Sequence, residues 1–81
     1  MIYTYSKHIL TRIKERNITL DEIEEVLLER VETITIQSKK DKDVDLILGY
    51  VNGKGIAVIV NRLTGVLITV RRMRDNEEKL F

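Results

Sequence analysis

One histidine and two arginines recur at four-residue spacing near the start of the chain: His8, Arg12 and Arg16. On a helix, positions i, i+4 and i+8 form a single stripe. A histidine can move a proton near neutral pH. Two guanidinium groups can grip phosphate oxygens in pairs. The stripe therefore suits a phosphate or transition-state clamp with His8 as acid or base. It equally suits a solvated helix face whose arginines pair with Glu15, Glu22 or Glu25 and whose stems cover the core edge.

Arg71, Arg72 and Arg74 form a second basic group near the C-terminal end. Alternation along a strand puts Arg71 on the same face as Leu67, Thr69, Ile59 and Asn61, and turns Arg72 the other way. The ordinary role of such a group is a charged strand end that blocks edge-to-edge association. Lys39, Lys40 and Lys42 are interspersed with Asp41 and Asp43, a solvated turn. No carboxylate pair has a histidine at ligand spacing, so neither a metal nor another cofactor is expected. Gly53-Lys54-Gly55 reads as a hairpin and not as a phosphate loop.

The elements that must position these groups follow from pattern. Ser6 caps a helix over 7–16, with Ile9, Leu10 and Ile13 inward. Asn17 ends it in the left-handed conformation. Thr19 and Glu22 have the spacing of a capping box. Leu20, Ile23, Val26 and Leu27 then form one buried face. Strands are predicted over 33–37, 44–51, 56–61 and 66–72. Asn52-Gly53 marks a tight turn, and residues 62–65 a second turn. Ile2, Tyr3 and Tyr5 suit a short edge strand, and the tail 73–81 reads as frayed or dependent on a partner.

These elements predict one α+β domain over 1–81, with its core at about 2–74: a helical hairpin on a four-stranded antiparallel sheet. Both sheet faces are apolar. Val44, Leu46, Leu48, Ile56, Val58, Val60, Val66, Ile68 and Val70 are assigned to the helix side. Ile47, Val51, Ala57, Ile59 and Leu67 are assigned to the other side. Two helices cover one face, so the open face calls for a homodimer or a protein partner, or for Leu80 and Phe81 of the tail.

Composition narrows the field. The chain has 81 residues and no cysteine, which fits a reducing cytoplasm. No apolar run reaches membrane-span length, and no leader peptide is expected. Charged residues make up 33% of the chain yet the net charge is +1, so RNA binding would rest on where the arginines are placed. The wealth of charge and of Ile and Val, without Pro or Cys, suits a thermophile.

The pattern Ser6-x-His8-x-x-x-Arg12-x-x-x-Arg16-Asn17-Ile18-Thr19, followed by Glu22 and Val26, resembles the opening of the group called domain of unknown function 4258. Gly49-x-x-x-Gly53, the apolar strand ending at Asn61, and Leu67-Ile68-Thr69-Val70-Arg71 are similar to its second half. That group is placed near the RelE, ParE and BrnT toxins. The resemblance implies a RelE-like fold with a curved sheet, an RNA substrate and an antitoxin partner. It also implies a metal-independent endoribonuclease in which the RNA 2′-hydroxyl attacks the adjacent phosphate. Arg71, Arg12 and Arg16 would stabilise the developing charge, with His8 as acid or base. Asn61, Arg62, Arg72 and Arg74 would contact RNA. Asn17 replaces the group's usual glycine, and no tyrosine follows Tyr50, although RelE-type nucleases tend to place one near the C-terminus. A binding module without catalysis is the alternative.

Overall fold

In a computed structural model the chain is described over residues 3–81. Helix α1 (Lys7–Glu15) starts where the Ser6 hydroxyl accepts the Ile9 N–H at 3.2 Å. It stops at Asn17, whose φ of 55° turns the chain so that the Ile18 N–H reaches the Ile13 carbonyl at 2.9 Å. That bond joins two otherwise orphaned helix-end groups. Helix α2 (Leu20–Leu27) opens on the expected capping box, with Thr19 and Glu22 each accepting the other's backbone N–H at 3.1 and 2.9 Å. Its end repeats the device, with Glu29 at φ 54°.

Strands β1 (Thr33–Gln37), β2 (Val44–Val51), β3 (Lys54–Asn61) and β4 (Leu67–Arg72) form one antiparallel sheet in sequence order. Asn52 and Gly53 both have positive φ, 53° and 77°, as the two-residue turn requires. Thr4 makes a single parallel bridge to Val66 on the outer side of β4, part of the edge strand expected over 1–5. Ile2, the other β-former assigned there, lies outside the described residues.

The helices pack on one face through Ile9, Ile13, Ile23, Val26 and Leu27, against Val51, Ile56, Val58, Val60, Leu67 and Val70. Pairing corrects the expected faces. Leu48 lies opposite Ala57 and Leu46 opposite Ile59, so both point away from the helices. Ile47 and Val51 point toward them. The tight turn sets this register, and a one-residue error exchanges every side chain between faces. In β4 a bulge intervenes: Ile59 pairs with Thr69 but Val60 with Leu67, which leaves Ile68 extra. Leu67 is thereby buried on the helix side, while Val66 and Ile68 are exposed.

The tail also differs from expectation. A third helix, α3 (Asp75–Glu78), folds back on the other face. Met73 joins Leu48 and Ala57 in a second small core, with Ile34, Ile36 and Ile59 packed around it. A Cβ on Gly55 would stand 3.2 Å from Met73, so the bare backbone there admits the tail. Phe81 meets Tyr50 edge-on, centroids 5.2 Å apart. The tail thus covers one end of the open face, and Ile34, Ile36, Leu46 and Ile59 stay half-exposed.

Candidate functional site

The stripe on α1 exists, but its members divide. Arg12 Nε donates to His8 Nε2 at 3.4 Å, and a guanidinium nitrogen of Arg12 lies 3.8 Å from Glu15. This is the Glu15 pairing that a solvated face would provide. Arg16 reaches elsewhere: its Nη1 donates to the Val70 carbonyl at 2.6 Å. That carbonyl points outward from β4, so the arginine closes a sheet edge that would otherwise be unpaired. Arg16 ties α1 to β4.

Arg71 does lie on the open face, opposite Ala57. It is not free there. Both its terminal nitrogens donate to Glu77 of α3, at 2.7 and 2.8 Å. Glu77 Oε1 also accepts the Arg74 N–H at 2.8 Å. The hydrogen bonds from Arg71 outweigh burial and hold the Glu77 carboxyl down at about 2. The Glu77 hydrogen bonds push the Arg71 guanidinium further up, against burial. Fork-to-fork geometry of this kind is the strongest ordinary side-chain pairing. Arg71 and Glu77 hold the tail on the sheet.

Asn61 and Arg62 lie at the far end of β3 from this pair. Ala57, opposite Arg71, is four residues before Asn61, a separation of roughly 13 Å along a strand. The Asn61 side chain accepts the N–H groups of Leu63 and Thr64 at 2.9 and 3.0 Å and so shapes the turn. Arg62 donates to the Lys42 carbonyl at 2.6 Å and ties that turn to the loop before β2. Arg72 pairs with Ile56 on the helix side and is exposed, and Arg74 precedes α3. The expected site residues are therefore not one constellation. His8 and Arg12 are on the helix side, Arg71 on the opposite face, and Asn61 and Arg62 at the other end.

Sequence reasoning missed a buried polar node. Glu22 serves as more than a capping residue: its carboxylate accepts Lys54 Nζ at 3.1 Å and Asn52 Nδ2 at 3.4 Å. Lys54 also donates to the Asn17 carbonyl at 2.9 Å. Burial raises the Glu22 carboxyl, but the hydrogen bonds from Thr19, Lys54 and Asn52 prevail and its pKa is lowered. The capping box and the Asn-Gly turn are each legible in sequence. Their link joins residues about 30 apart, which no local pattern displays.

An open cleft of about 460 Å³ adjoins this node, lined by Asp21, Glu25, Val31, Tyr50 and Asn52. Its carboxylates repel phosphate and suit a basic or neutral group. Among the described residues no group of three or more His, Cys, Asp or Glu side chains is placed to hold a metal ion. No helix among them is long and apolar enough to cross a membrane. Tyr5 sits by a smaller cleft of about 290 Å³ with Tyr3, Leu27 and Leu28. Burial and then the Glu24 charge push its hydroxyl up, so Tyr5 keeps its proton.

Compared with known families, the chain matches the one described as Domain of unknown function (DUF4258) over residues 5–72. The chain belongs to that family. Its match spans both capped helices and all four strands and stops at Arg72, before Met73 and α3. The Arg71–Glu77 pair thus joins the family's last matched strand to a segment beyond it. No curated protein and no solved structure matches the chain.

Proposed function

We propose that this protein is a binding module of RelE-like architecture, a helical hairpin on a curved sheet, that acts by docking a polypeptide. The observation that carries this reading is the engagement of Arg71 by Glu77. The arginine that the resemblance assigns to phosphate has both its hydrogen-bonding arms taken by a carboxylate of its own chain. Arg16 is likewise turned onto a backbone carbonyl. Phosphoryl chemistry on a sheet is positioning and electrostatics, and it needs its cations convergent and free. The near-neutral charge and the half-exposed apolar surface around Ile34, Ile36, Leu46 and Ile59 suit a protein partner better than RNA.

One observation favours a second reading, a metal-independent endoribonuclease of a toxin–antitoxin system. His8 is exposed, Arg12 is half-buried beside it, and among the described residues neither is tied to an element outside their own helix by a hydrogen bond or ion pair. They would supply an acid or base and a charge for 2′-hydroxyl attack on the helix side, without Arg71, which lies across the sheet from them. Growth after induced expression separates the two. Wild type, Arg71→Ala and His8→Ala/Arg12→Ala are expected to grow alike. Arrest by wild type that His8→Ala/Arg12→Ala relieves, with both proteins folded, would establish the nuclease reading instead.

A further inference from the structure

The two edges of the sheet are treated differently. The β4 edge is occupied: the Thr4 N–H donates to the Gly65 carbonyl at 2.9 Å, the Leu67 N–H to the Thr4 carbonyl at 3.0 Å, and Arg16 takes the Val70 carbonyl. Among the described residues the β1 edge has no such cover. The Ser38 N–H donates to the Val44 carbonyl at 2.8 Å, which fixes the alternation of hydrogen bonding between β1 and β2. Ser38, Ile36 and Ile34 then bond inward, and Thr33, Thr35 and Gln37 aim their backbone groups outward. Among the described residues no hydrogen bond reaches those outward groups. None of the usual protective devices is present either, since the strand has no proline, no bulge and no charged side chain.

The segment Thr-Ile-Thr-Ile-Gln reads nearly alike in both directions about Thr35. We propose that β1 is a self-pairing edge, at which a second copy of the chain joins antiparallel across a twofold axis at Thr35. This deepens the binding-module reading by naming the partner and rests on it. In that register Thr35 faces its own counterpart, Thr33 faces Gln37, and all outward groups on both strands are matched. Ile34 falls opposite Ile36 on the open face, in the close side-chain contact of a non-hydrogen-bonded pair. The half-exposed patches of the two copies become one continuous surface. Charge agrees at the ends: Glu32 precedes the strand and Lys39 and Lys40 follow it, so the acidic end of one copy meets the basic end of the other. Arg30, which approaches the same lysines, is held by Glu25 at 3.3 Å. Because the β4 edges are occupied, pairing stops at two copies and forms no fibre.

Thr35 is exposed, so its side chain can be changed with little effect on the fold. Light scattering on purified protein is the test, with circular dichroism and thermal melting as controls for folding. Wild type is expected at twice the chain mass, and Thr35→Lys and Thr35→Glu alone at the single-chain mass, since each sets like charges across the axis. An equimolar mixture of the two variants is expected to return to the double mass. Wild type at the single-chain mass at its highest soluble concentration overturns the proposal. So does a dimer that Thr35→Lys leaves intact, and so does a mixture that fails to re-associate. None of these outcomes bears on RNA cleavage by the same preparations, which decides the binding-module reading separately.

Discussion

Arg71 on β4 and Glu77 on α3 share two hydrogen bonds, at 2.7 and 2.8 Å, across the face of the sheet that the two longer helices leave open. Both side chains are largely withdrawn from water, 19% and 8% exposed. Removing one member strands the other charge. Glu77→Ala is therefore expected to destabilise the protein by about 1–3 kcal/mol, read from urea denaturation midpoints at constant slope. Arg71→Ala should weaken it to a similar degree, and the double variant less than the sum of the two. A neutral Glu77→Ala would mean that α3 does not rest on the sheet.

Acid should release the tail. A carboxyl held below its unfolded value stabilises the native state at pH above that unfolded value, and the contribution fades as pH falls through the native one. For Glu77 the window runs from about 4.5 down to about 2. Glu22, also lowered, contributes in the same direction. Stability is expected to fall with pH below about 4.5, and Glu77→Gln should flatten that fall. An equal slope in wild type and variant would contradict the assignment.

Arg12 and Arg16 look equivalent in sequence and should behave differently. Arg16 satisfies the outward carbonyl of Val70, so Arg16→Ala should cost about 1 kcal/mol or more. Arg12 is a half-buried partner of His8 and Glu15, and Arg12→Ala should change stability by no more than about 0.5 kcal/mol. Thermal melting of the two variants checks this, and equal effects would count against it.

The Glu22 node makes a third structural claim. Lys54→Met keeps the apolar stem but removes the ammonium from Glu22 and the Asn17 carbonyl. Destabilisation by about 1–3 kcal/mol is expected, with faster hydrogen exchange at the start of α2 and in the turn at Asn52. Unchanged exchange at both places would show that the node does not couple them.

Much of the architecture was legible because it rests on local signals. The Ser6 cap, the Thr19–Glu22 box, the left-handed Asn17 and the Asn52-Gly53 turn each declare themselves within a few residues. Face assignment was not legible to the same degree. It depends on which residues pair across strands, and the bulge opposite Ile59 and Val60 shifts β4 by one position, which buries Leu67 and exposes Ile68. The tail is not frayed, because Arg71 and Glu77 anchor it, a pairing of an apparent functional arginine with an ordinary surface-type glutamate. The expectation that the tail covers part of the open face holds for Phe81 against Tyr50. The candidate residues were found as types. Their dispersal over two faces and two ends of the sheet is a property of the fold.

Cleavage of RNA is the most direct test of a binding module against a nuclease. Purified wild-type protein would be incubated with free RNA and with translating ribosomes, and the RNA ends mapped. Intact RNA in both, at protein concentrations where the fold and the assembly are verified, is the expected result. Cleavage by wild type that is lost in folded His8→Ala/Arg12→Ala would contradict it and place an active site on the first helix.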